Sequence, residues 1–154
     1  MKLPTIALDM DGTLADLYAV DGWLEMLESE DAAPYAFAEP MHDMKRLDSL
    51  LRAYKAAGGH VCIVSWCAKG NVSQAYYTAT QAAKCLWLRK HLPSIDDIRI
   101  VDYGIPKYLV VKDVRTSVLF DDEEQNRRSF IAAGGDARLP QNIIKFIVAA
   151  LKHR

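Results

Sequence analysis

The chain has 154 residues, 51% of them hydrophobic and 25% charged, with a formal net charge of −1. That length supports a single domain, residues 1–154, with a real core, and the balanced charge speaks against a general nucleic-acid or membrane-surface binder. Three cysteines (Cys62, Cys67, Cys85) without a Cys-x-x-Cys pair, and histidines scattered at 42, 60, 91 and 153, argue against a disulfide framework and a zinc site, so a reducing cytoplasm is the expected setting.

In chain order, Ile6-Ala7-Leu8 reads as a buried strand of a parallel sheet. It is broken by Asp9 and lacks a small-residue cleavage site, so no signal peptide is expected, and no apolar run is long enough to span a bilayer. The strand stops at Asp9-Met10-Asp11-Gly12-Thr13. Open α/β sheets place their ligands at the carboxyl ends of strands, and an i, i+2 spacing points both carboxylates one way. Two like charges so held need a cation or a shared proton. Asp-x-Asp-Gly alone also reads as a surface turn. A calcium loop is excluded, because the twelfth residue from Asp9 is Val20 where a Glu is needed.

Leu17, Val20, Leu24 and Leu27 have helical spacing, and 32–40, with two prolines and two aromatics, reads as an irregular loop. Residues 15–44 are expected to form a small insertion over the site, in which Trp23, Tyr35 and Phe37 line a pocket or fill the insertion's own core. Leu47, Leu50, Leu51 and Tyr54 mark a helix that Gly58-Gly59 ends. His60–Val64 is a second strand, leading to Ser65, whose hydroxyl and the backbone beside it at Trp66 can hold a phosphate or simply cap the next helix. That helix, 71–90, takes Ala75, Ala79, Ala82, Ala83, Leu86 and Trp87 as its apolar positions, with Cys85 in the core. Ile98–Val101 is a third strand, after which Lys107 returns to the rim of Asp9 and Ser65, with Lys112 as the competing lysine. Ser117–Phe120 is a fourth strand, ending at Asp121-Asp122; acids there also suit a helix N-terminus. A short edge strand at 136–139 and a helix over 141–152 close the chain.

Strands alternating with helices give an α/β fold, a doubly wound parallel sheet with a small cap insertion at 15–44. Asp9, Asp11, Ser65, Lys107, Asp121 and Asp122 then share one rim. This set resembles the haloacid dehalogenase (HAD) superfamily of aspartate-nucleophile phosphohydrolases. Asp9-Met10-Asp11-Gly12-Thr13 is similar to the family's first motif, Ser65 to the second, Lys107 to the third, and Asp121-Asp122 with Asn126 to the acidic fourth. The resemblance implies a Mg²⁺-dependent phosphatase. Asp9 is then the nucleophile and Asp11 the general acid and base. Asp9, the Asp11 backbone carbonyl and Asp122 hold the metal, with Asp121 on the lysine or a metal-bound water, and Ser65, Trp66 and Lys107 grip the phosphoryl group. Asp-Met-Asp-Gly-Thr-Leu-Ala-Asp looks most like the 5′(3′)-deoxyribonucleotidase branch, which implies a nucleoside monophosphate as substrate. This chain is shorter and carries Trp66 after Ser65, so a sugar phosphate, with Glu39, His42 and Asp43 as hydroxyl-binding groups, or a phosphate-binding regulatory module with little turnover, stays open.

Overall fold

The computed structural model describes residues 2–153. The first apolar run becomes β1 (Thr5–Leu8). The insertion then opens on a short strand β2 (Ala15–Asp16) and closes on β3 (Glu39–Pro40), which pair antiparallel as a two-stranded neck. Between them lie a 3₁₀ turn at Leu17–Ala19 and two short helices, α1 (Trp23–Glu28) and α2 (Ala33–Phe37). The segment expected as one helical stretch is therefore broken before Trp23, with Gly22 at φ +72° on the break. The stretch expected to be an irregular loop carries a helix, because Pro34 sits in its first turn, where proline's fixed φ suits a helix start and its missing N–H costs nothing.

Helix α3 (Met44–Ala56) follows, capped by Asp43, whose carboxylate accepts from the Arg46 N–H. Then come β4 (Val61–Trp66), α4 (Gln74–His91), β5 (Asp97–Val101), β6 (Ser117–Phe120), α5 (Glu124–Ala132), β7 (Asp136–Arg138) and α6 (Ile143–Lys152). Five strands make a parallel sheet in the order β5-β4-β1-β6-β7. Alternating side chains separate two cores. Ile6, Leu8, Ile63, Val118 and Phe120 pack with Leu47 and Leu51 of α3 and Ile143 and Ile147 of α6. Ala7, Cys62, Val64 and Leu119 pack with Phe130 of α5 and Val111. Helices thus cover both faces, as a doubly wound α/β sheet requires. Among the described residues no helix is long and apolar enough to cross a membrane.

Helix α4 turns a different face inward from the alanine-rich one its sequence suggests. Its buried residues are Tyr76, Thr80, Lys84, Trp87 and Leu88, while Ala75, Ala79, Ala82 and Leu86 are exposed and Cys85 is half-buried. Steps of four, four, three and one along 76-80-84-87-88 define one helical stripe. That stripe lies against the insertion and the carboxyl end of the sheet, so it presents polar side chains where the site is.

Candidate active site

Register at the centre of the sheet gathers the site. Leu8 stands opposite both Ile63 and Phe120, so Asp9 and Asp121 leave neighbouring strands side by side, and the Asp9 N–H donates to the Phe120 carbonyl at 3.0 Å. Ser65 lies two residues beyond Ile63 on the other flank. These ends open into a cavity of about 530 Å³, whose lining includes Asp9, Asp11, Ser65, Asp121, Asp122 and Asn126 below and Tyr18, Trp23 and Tyr35 of the insertion above.

Both oxygens of the buried Asp9 carboxylate are held: Oδ1 accepts from Lys107 Nζ at 2.8 Å and Oδ2 from the Thr13 hydroxyl at 2.8 Å. Thr13 in turn accepts the Asp122 N–H at 3.2 Å. Lys107 is buried and also donates to Asp121 Oδ2 at 2.7 Å. Burial works against its charge, but the Asp9 and Asp121 carboxylates outweigh that and hold its pKa above the ordinary lysine value. Lys112 is exposed, so the lysine leaving the third long strand is the one that reaches Asp9.

Carboxylate oxygens of Asp9, Asp121 and Asp122 lie within 4.8 Å of one another. Burial, then the Asp9 charge, raises Asp121, and the same causes push Asp122 up to about 8. Crowded, desolvated carboxylates of this kind suit a hard divalent cation, which takes oxygen ligands and offsets their repulsion. Asp9 and Asp122 offer such a cation side-chain oxygens. Asp121 is the less available member, since its oxygens are taken by Lys107, by Asn126 Nδ2 at 3.1 Å and by the Glu123 N–H at 2.9 Å. Asn126 therefore hydrogen-bonds Asp121, although the sequence pattern aligned it with Asp122. The Asp11 carboxylate stands outside the three-acid cluster. Gly12 closes this end. At φ +79° it adopts a backbone that side chains avoid, and a Cβ there would lie 2.3 Å from Asp122 Oδ2.

Asp11 is tied to a second lysine, Lys84, which sequence reasoning missed. Lys84 is fully buried, and its ammonium donates to Asp11 Oδ2 at 2.7 Å, Ser65 Oγ at 3.0 Å and the Trp66 carbonyl at 2.7 Å. Burial raises the Asp11 pKa, opposed by Lys84. Asp11 Oδ1 is buried with no hydrogen-bond partner among the described residues. No sequence signal marks it: the buried stripe it shares with Tyr76, Thr80 and Leu88 shows only in the structure.

Trp66 donates through its indole N–H to the Ile105 carbonyl at 2.8 Å, packs on Tyr103, and lies under the Lys107 ammonium. It walls the cavity, and its backbone carbonyl holds Lys84. Of the insertion aromatics, Trp23 and Tyr35 line the cavity, whereas Phe37 is 68% exposed outside it. Glu39, His42 and Asp43 are not among the lining residues: Glu39 sits exposed on β3, His42 Nε2 binds the Thr13 carbonyl at 2.8 Å, and Asp43 caps α3. Polar lining comes instead from Glu28, Lys69, Glu123 and Asn126.

The sequence matches no protein-family model and no curated protein. Solved structures share the fold. An uncharacterized protein from Corynebacterium glutamicum is 18% identical, over 97% of this chain and 96% of that one, with a TM-score of 0.56. The D,D-heptose 1,7-bisphosphate phosphatase from Burkholderia thailandensis is 14% identical, over 96% of this chain and 98% of that one, with a TM-score of 0.61. At these identities the likeness is one of fold.

Proposed function

We propose that the protein is a Mg²⁺-dependent phosphomonoester hydrolase of the HAD type. The observation that carries this reading is the Asp9-Asp121-Asp122 cluster on the lining of one cavity, with Asp11 on the same lining and the buried Lys107 bonded to Asp9 behind it. A carboxylate attacking a phosphate monoester faces another anion, so the site has to neutralise charge. Bound Mg²⁺ supplies part of that neutralisation as a Lewis acid, with Asp9 and Asp122 as its side-chain ligands and the Asp11 carbonyl beside them.

Asp9, oriented by Lys107 and Thr13, attacks phosphorus, and the bond to the leaving oxygen breaks. Asp11, as the acid, gives its proton to that oxygen, leaving an aspartyl-phosphate on Asp9. A water then attacks phosphorus, Asp11 takes its proton, and inorganic phosphate and the Asp9 carboxylate are restored. Lys107 and the Ser65 hydroxyl stabilise charge on the transferring oxygens. Asp121 holds Lys107 in place. The insertion at 15–44 acts as the cap that excludes water.

For the substrate, a nucleoside monophosphate is supported by the flat faces of Trp23 and of the Trp66–Tyr103 pair, whose centroids are 4.7 Å apart. A sugar phosphate is supported by the polar lining at Glu28, Lys69, Glu123 and Asn126. The heptose bisphosphate phosphatase that shares the fold acts, by its name, on such a compound.

The test is a screen of nucleoside monophosphates and sugar phosphates with Mg²⁺ and with excess chelator. Turnover that needs Mg²⁺ and is abolished by Asp9→Asn is expected. Full activity in chelator, or parental turnover by Asp9→Asn, overturns the reading. Phosphate binding without turnover of any ester points to the regulatory module. The ratio of kcat/KM between the two substrate classes chooses the substrate.

A further inference from the structure

Helix α4 sends the side chain of Lys84 into the site from the flank opposite Lys107. The two lysines divide the acids between them: Lys107 holds Asp9 and Asp121, and Lys84 holds Asp11. An ammonium has three N–H donors and no acceptor. Lys84 uses its donors on Asp11 Oδ2, Ser65 Oγ and the Trp66 carbonyl, at 2.7, 3.0 and 2.7 Å. It has none left for a phosphoryl oxygen.

That saturation fixes what its neighbours can do. Asp11 Oδ2 is held by Lys84, and Oδ1 is buried and unpartnered among the described residues, so the Lys84 bond is what fixes the carboxyl in the cavity that Asp11 lines. Ser65 Oγ accepts from Lys84, so its own O–H points elsewhere. The Trp66 carbonyl, 3.4 Å away and already taken by Lys84, is a poor acceptor for it. The Ser65 proton is thus available to an anion in the cavity that Ser65 lines.

We propose that Lys84 is a positioning residue for phosphoryl transfer: it holds the Asp11 carboxyl in place to protonate the leaving-group oxygen and turns the Ser65 hydroxyl into a donor to the phosphoryl group. The proposal rests on the phosphatase reading above. Lys84 touches neither the substrate nor the reacting atoms; it acts through Asp11 and Ser65.

Lys84→Met keeps the stem and removes the donors. First-turnover release of the leaving group is measured with an alkyl phosphate, whose alkoxide needs a proton, and with p-nitrophenyl phosphate, whose nitrophenolate leaves without one. Release of the alcohol is expected to slow ~100-fold or more, the scale of lost acid catalysis, while nitrophenolate release slows less than ~10-fold. KM for both is expected to rise as Ser65 loses its orientation. Equal slowing of both substrates, or parental release of the alcohol, overturns the proposal. A crystal structure of Lys84→Met gives a readout that needs no activity: the Asp11 carboxylate and the Ser65 hydroxyl are expected to leave their parental positions, and finding both unmoved also overturns it. If the parent protein hydrolyses no phosphomonoester, the phosphatase reading fails, and with it the leaving-group role of Asp11; the crystal structure still decides whether Lys84 sets these two side chains. Lys84→Gln is read by the same criteria if Lys84→Met does not fold.

Discussion

Individual side chains near the cavity sort by what they touch. Lys107 neutralises Asp9 and Asp121, while Lys112 meets solvent. Lys107→Met is expected to lower kcat by ~100-fold or more, the scale seen when one donor to a developing oxyanion is removed. It should also lower the Tm, because breaking a buried ion pair leaves a charge uncompensated. Lys112→Met should change neither. Steady-state kinetics and thermal melts on the two variants check this, and a large loss confined to Lys112→Met would reverse the choice of lysine. The insertion aromatics divide in the same way. Trp23 lines the cavity and meets Tyr18 edge-on, with ring centroids 5.0 Å apart, whereas Phe37 lies outside it. Trp23→Ala should raise KM for a nucleoside monophosphate by about 5- to 150-fold, the worth of one base–aromatic stack at ~1–3 kcal/mol. Phe37→Ala should leave kcat/KM within about twofold. Equal effects of the two substitutions would mean that the base, if one is bound, does not stack on Trp23.

Secondary-structure elements place these residues, and one cap joins two of the elements. Ser73 caps α4 by accepting the Tyr76 N–H at 3.1 Å, and its hydroxyl donates to Glu30, which ends the turn after α1. Glu30 itself holds a left-handed backbone at φ +60°. Ser73→Ala should cost about 1 kcal/mol of stability from the lost cap, and it should loosen the insertion against α4. Denaturant unfolding measures the first effect. Hydrogen exchange at the amides of 23–37, rising above the change in global stability, measures the second. Much of the fold was legible at this scale because the central strands are short apolar runs between turn residues, and a run such as Val61–Val64 has no other way to bury itself. The site rim followed from that, since Asp9, Ser65, Lys107 and Asp121 all sit just where such strands stop or return. The inward face of α4 was not legible. Alanines look apolar but gain little by burial, and Lys84 reads as a surface residue until three acceptors converge on it. The helices of the insertion were hidden for a different reason: six and five residues are too short for periodicity to show, and tertiary contact, of α2 with α4 and of α1 with α2, fixes them.

For the whole molecule, the rim of the sheet is a place where folding gathers like charges that an unfolded chain would keep apart. Asp122 is pushed up to about 8 by burial and then by Asp9, and Asp121 is raised by the same causes, against an unfolded carboxylate value of about 3.9. A folded pKa above the unfolded one means that the native state binds the extra proton between those two values. Its contribution to stability is fully present below about pH 4 and is lost as pH rises through about 8. The metal-free protein should therefore show a falling Tm between about pH 5.5 and about pH 8.5. On the proposed function, Mg²⁺ should oppose this fall. It would bind the ionised carboxylates of the folded state alone, stabilising by mass action, and more strongly as protons cease to compete. The gain in Tm on adding Mg²⁺ should thus be small at the acid end and grow toward the alkaline end. Asp122→Asn removes one titrating ligand, so it should flatten the pH slope of the metal-free protein and cut the Mg²⁺ gain together. Thermal melts of the parent and Asp122→Asn across this range, with and without Mg²⁺, give the answer without any substrate. A metal-free Tm that climbs over the same interval, with no response to Mg²⁺, would show that the three carboxylates do not act as a cation site.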